Sequence, residues 1–83
     1  MTKVNFTPNS LKHFKKIKDK KIKAKIKTGF LKLSQNSYLG KKLEGEFQGQ
    51  YSLRVWPYRI VYYITEKKDI IITDIGHRKE IYR

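Results

Sequence analysis

Arginines recur inside apolar strands in the last third of the chain, at Arg54 and Arg59, and a polar run follows as Gly76-His77-Arg78-Lys79-Glu80-Ile81-Tyr82-Arg83. A guanidinium stays charged at any cellular pH and is costly to bury without a partner, so arginines on a rigid sheet mark a surface prepared for an anion, phosphate first. Period-two alternation puts Leu53 and Val55 on one side of their strand and Ser52, Arg54 and Trp56 on the other. In the next strand Ile60, Tyr62 and Ile64 share a face opposite Arg59, Val61 and Tyr63. A hairpin register that aligns Arg54 with Arg59 makes a fork for phosphate whose bidentate geometry lysine cannot reproduce. The competing assignment is an ion pair of each arginine with Glu44, Glu46 or a cross-strand acid, and the scarcity of acids weighs against it.

The elements that must position these groups read as β-α-α-β-β-β. Thr2 to Phe6 alternates like a short strand, and Thr7-Pro8 supplies an N-cap followed by a proline at the first helical position. Leu11, Phe14 and Ile17 mark the apolar stripe of one helix; Ile22, Ile26, Phe30 and Leu33 mark a second after a break near Asp19 and Lys20. Gly29 weakens the second helix but lets another element approach. Gln35 to Lys42 and the glycine-punctuated Leu43 to Gly49 read as loop and irregular structure. Three strands follow, Tyr51 to Trp56, Tyr58 to Thr65 and Ile70 to Ile75, with a tight corner at Pro57 and a hairpin connection over Glu66 to Asp69. The expected fold is α+β: one antiparallel sheet with a helical hairpin on one face.

Length and composition bound the alternatives. Eighty-three residues allow a single small domain over 1–83, with little stability to spare. Without cysteine there is no disulfide framework or thiolate metal site, and His13 and His77 lie too far apart in sequence to form a local ligand pair. No apolar run reaches signal-peptide or membrane-span length, which points to the cytoplasm and away from a membrane. Twenty Lys plus Arg against seven Asp plus Glu give a net charge of +13, a field that draws in polyanions. Nucleic acid ranks above a membrane surface, because the narrow apolar stripes of the helices are needed for a core.

The segments Leu43-Glu44-Gly45, Tyr51-Ser52-Leu53-Arg54-Val55, Tyr58-Arg59-Ile60-Val61-Tyr62, Ile75-Gly76-His77-Arg78 and Ile81-Tyr82 resemble the RelE/ParE superfamily of toxins from type II toxin-antitoxin systems. The most specific piece is Tyr-Arg-hydrophobic-Val-Tyr followed by Gly-His-Arg and a tyrosine. RelE-like members cut mRNA in the ribosomal A site, whereas ParE-like members inhibit DNA gyrase and generally lack the nuclease residues. Arg54, Arg59, Arg78 and Tyr82 stand at positions similar to those the nucleases use, which favours the RelE-like branch over a gyrase inhibitor of the same fold and over a non-catalytic basic RNA-binding protein.

The resemblance implies an mRNA interferase, an endoribonuclease in which the ribose 2′-OH attacks the adjacent phosphate and leaves a 2′,3′-cyclic phosphate and a 5′-OH. It implies no metal or cofactor, because the nucleophile is already tethered to the phosphorus. In that reaction Arg59, with Arg54 beside it, stabilises the phosphorane, and Arg78 holds the leaving side or a flanking phosphate. Tyr82 is a stacking platform or proton donor, and His77 a general acid, since histidine exchanges protons near neutral pH. Relatives often carry a basic residue where Ser52 stands; Glu46 is the nearest acidic substitute, and the general base stays unassigned. The implied partners are a cognate acidic antitoxin and the ribosome, with rRNA phosphates gripped by the helical lysines Lys12, Lys15, Lys16, Lys18, Lys20, Lys21, Lys23, Lys25 and Lys27. A prokaryotic or phage-like source is implied as well.

Overall fold

The computed structural model describes residues 2–77. β1 (Val4–Phe6) is followed by α1 (Pro8–Lys16) and α2 (Lys20–Gln35), then by a two-residue β2 (Lys41–Lys42) and a 3-10 turn at Gly45–Phe47. The chain then forms β3 (Tyr51–Val55), β4 (Tyr58–Ile64) and β5 (Ile70–His77). The strands make one five-stranded sheet in the order β1-β5-β4-β3-β2. The α+β class and the β-α-α-β-β-β order hold, with two departures. The sheet is mixed, because β1 runs parallel to β5. The polar loop also contributes an edge strand, β2, whose two lysines carry no apolar signal.

Both helices begin where side chains satisfy free backbone donors. The Thr7 hydroxyl accepts from the Ser10 N–H at 3.1 Å, with Pro8 in the first helical turn. Asp19 accepts from the N–H groups of Lys21 and Ile22, restarting the helix after the break. The stripes then bury: Ile17, Ile26 and Leu33 meet Ile60, Tyr62, Ile70, Ile72 and Ile75 of the sheet in one core. Phe30 bridges the layers, with ring centroids 4.9 Å from Phe6 and 5.6 Å from Phe14. Gly29 permits the approach of α2 to the sheet, since a Cβ there would stand 3.1 Å from Ile60 Cδ1.

Tyr62 is the polar exception within this core. Fully buried, it donates its hydroxyl to the Ser37 carbonyl at 2.8 Å and accepts from the Gly40 N–H at 2.9 Å, pinning the loop before β2 to the sheet. A side chain at Gly40 would stand 2.7 Å from that hydroxyl, so the contact requires glycine. Burial raises the Tyr62 pKa above the ordinary tyrosine value, against the opposing pull of the Gly40 N–H, and the neighbouring Tyr51 pushes the same way as burial.

Candidate functional site

The β3–β4 hairpin sets the two arginines directly opposite each other. Its register pairs Leu53 with Ile60, Arg54 with Arg59 and Val55 with Tyr58, closing on the two-residue corner Trp56-Pro57, whose peptide bond is cis. Leu53, Val55 and Tyr58 pack against the core from the helix side, so alternation sends Arg54 and Arg59 to the face the helices leave open. Their Cβ atoms are then about 5 Å apart, as for any directly opposed pair. Arg54 is exposed and Arg59 half-buried. Among the described residues Arg54 makes no ion pair with Glu44 or Glu46; its guanidinium lies over the Trp56 ring, 5.2 Å from the centroid.

One rung further along, the same face is shut. Ser52 and Val61 are each 3% exposed, and the Thr73 hydroxyl beside them lies 3.0 Å from Gln50 Oε1. The Ser52 Oγ has no hydrogen-bond partner among the described residues. The accessible parts of the face are therefore the arginine rung with the hairpin corner at one end and Tyr63, 38% exposed, at the other.

His77 lies elsewhere. The β4–β5 register shifts between Val61 and Tyr62, which pair with Asp74 and Ile72, so that Thr73 is an extra residue on β5. This bulge reverses the parity of the strand: Ile70 and Ile72 point to the helices before it, and Ile75 does so after it. Gly76 then falls opposite Arg59, and His77 falls opposite Tyr58 on the helix side, its ring 5.8 Å from the Tyr58 ring. The fold brings Arg54 and Arg59 together and sets His77 apart from them on the helix side. Arg78 and Tyr82 lie outside the described residues.

The fold instead brings His77 to a cavity of about 230 Å³ that His13, Lys16, Tyr58 and Asp74 also line. His13 Nδ1 stands 2.7 Å from Asp74 Oδ1, and the same carboxylate oxygen accepts from the Ile75 N–H at 2.8 Å. Sequence spacing hid this cluster: His13 and Asp74 are 61 positions apart, and only the packing of α1 along β5 joins them. Among the described residues no group of three or more His, Cys, Asp or Glu could hold a metal ion, and no helix is long and apolar enough to cross a membrane.

The helical lysines cover the outer surface. Lys12, Lys15, Lys16, Lys18, Lys20, Lys21, Lys25 and Lys27 are exposed, while Lys23 lies over the Phe14 ring at 5.4 Å. This spread of cations suits nonspecific contacts to phosphates.

Known structures share this architecture. The toxin–antitoxin complex RelBE2 from Mycobacterium tuberculosis matches with a TM-score of 0.83 and 28% identity over 93% of this chain and 98% of that one. The RelB–RelE antitoxin–toxin complex from Methanococcus jannaschii matches with a TM-score of 0.75 and 30% identity over 94% of each chain. The intact RelBE toxin–antitoxin complex from E. coli has the same fold, with a TM-score of 0.77 at 21% identity over 93% of this chain and 96% of that one. No curated protein matches significantly in sequence. The family model for the ParE toxin of the type II toxin-antitoxin system parDE matches residues 4–82. Its span takes in the helices, the arginine hairpin and the Gly76-His77-Arg78 segment alike, and the chain belongs to this family of toxins within the RelE/ParE superfamily.

Proposed function

We propose that this toxin is a ribosome-dependent mRNA endonuclease acting from the cytoplasm, and that the scissile phosphodiester sits at the Arg54–Arg59 rung. The observation that carries this reading is the cross-strand register: two arginines at directly opposed positions, beside a tight corner. Two guanidinium side chains rooted on neighbouring strands suit a phosphate, which arginine can hold in bidentate geometry. Arg59 and Arg54 would hold the non-bridging oxygens as the 2′-OH attacks, where fixed donors are most effective because they need no reorganisation. The chemistry closes without a cofactor: the 2′-hydroxyl gives up its proton to a base as its oxygen bonds to phosphorus, the bond from phosphorus to the 5′-oxygen breaks, that oxygen takes up one proton in turn, and a 2′,3′-cyclic phosphate remains. Arg78 and Tyr82 keep the roles proposed from sequence, a flanking phosphate and stacking or proton donation. His77 sits on the other face and is better placed to order Tyr58 than to protonate the same leaving group.

The net charge of +13 supports docking on rRNA and the capture of an acidic antitoxin, a partner also suggested by the toxin–antitoxin complexes among the matching structures. In vitro translation with primer extension on the message tests the reading. A cut inside an A-site codon is expected, absent with Arg59→Ala. DNA breaks in a gyrase supercoiling assay with translation unaffected would instead assign the ParE-like activity, the alternative that the name of the matching family keeps open.

A further inference from the structure

We propose that the groove between α2 and the edge of β3 is a track for single-stranded RNA, in which the Trp56 ring stacks the nucleotide next to the phosphate held by Arg54 and Arg59. This deepens the nuclease reading and rests on it for the position of that phosphate. The groove encloses about 510 Å³ and is lined by Lys25, Thr28, Lys32, Leu39, Arg54 and Trp56 among others, with no acidic residue. Lys25, Thr28 and Lys32 follow the i, i+3, i+7 stripe of one helix face, so the two ammonium groups are spread over roughly 10 Å of axis. Opposite them Trp56, at the hairpin corner, is 52% exposed.

Indole rings and guanidinium planes are the surfaces on which unpaired bases stack, and here one lies over the other. A strand leaving the arginine rung meets Trp56 first and then the lysine stripe. Cations placed along a groove beside an exposed ring are the combination that binds single strands without reading sequence. An acidic peptide would satisfy the lysines but would leave the ring's stacking capacity unused, which is why RNA is the favoured occupant.

Trp56 is the sole tryptophan, so intrinsic fluorescence reports on the ring directly. The probe is a short 2′-O-methyl oligoadenylate, which lacks the attacking hydroxyl and stays intact. Saturable quenching is expected. By anisotropy of the labelled oligonucleotide, Trp56→Ala should weaken binding about tenfold, the worth of one base–aromatic stack. Trp56→Phe should keep most of the affinity and guards against a folding defect in the alanine variant. Lys25→Gln and Lys32→Gln should each lower the slope of log affinity against log salt by about 0.7. Binding without quenching, equal affinity of Trp56→Ala, or stronger quenching by polyglutamate than by RNA overturns the proposal, the last result making the groove a protein-docking surface. Message cleavage is scored separately in translation extracts. Cleavage without quenching removes the track alone, whereas quenching without cleavage removes the nuclease reading and leaves an RNA-binding groove.

Discussion

Two polar pairs, one across the β3–β4 hairpin and one between α1 and β5, are built on opposite principles. Arg54 and Arg59 place like charges face to face on the open side of the hairpin, while His13 and Asp74 join α1 to β5 through a 2.7 Å contact of complementary groups. On the proposed reading the first arrangement serves a phosphate, whereas the second joins two elements of the fold and needs no ligand. The contrast to be tested is between residues that bind and residues that hold.

The comparison breaks most visibly at Arg59. Arg59→Ala should lower message cleavage about 10²–10³-fold, or roughly 2.7–4 kcal/mol of barrier, without lowering the urea midpoint. A parallel loss of stability would show the pair to be structural after all. Tyr62→Phe tests the other extreme, a buried polar group with only a holding role: stability should fall by about 1–3 kcal/mol because the Gly40 N–H and Ser37 carbonyl lose their partner. Since the folded pKa of Tyr62 is raised, the native state keeps its proton as the unfolded chain ionises. Its stability contribution is therefore whole below about pH 10 and declines as pH rises above it. Alkaline melts should show this decline in the wild type and a shallower one in Tyr62→Phe.

His13→Ala should cost no more than about 1 kcal/mol, because both members of its pair are about a third exposed, and should leave cleavage unchanged. A large drop in cleavage would move the His77 cavity into the mechanism. The smallest effect is expected for Arg54→Gln, where relief of the like-charge opposition and loss of the contact with Trp56 offset each other, so that stability by urea melts should change by no more than about 0.5 kcal/mol while activity weakens.

Strand parity made the arginine rung legible from sequence, because Leu53, Val55, Ile60 and Tyr62 fix the faces and a two-residue corner fixes the register. The same counting misplaces His77. Ile70 and Ile72 point to the helices, so uninterrupted alternation would put His77 beside the arginines; the extra residue at Thr73 reverses it, and no residue type announces a bulge there. The His13–Asp74 contact was equally hidden, since neither residue has a local partner to suggest it. β2 escaped notice because two lysines form a strand only by borrowing the edge of β3. Helix caps at Thr7 and Asp19 were readable because their signals are local.

Strand order has a consequence for biosynthesis. β5 is the last of the described strands to be made, yet it lies second in the sheet, between β1 and β4, and Thr7 reaches it across 66 positions of chain. Until β5 emerges, β1 has no neighbour and the stripes of both helices lack Ile70, Ile72 and Ile75. A nascent chain can thus close the β3–β4 hairpin early but cannot bury its core until β5 is translated, and contacts so distant slow the closing step. The charged hairpin is ready before the scaffold that makes it rigid.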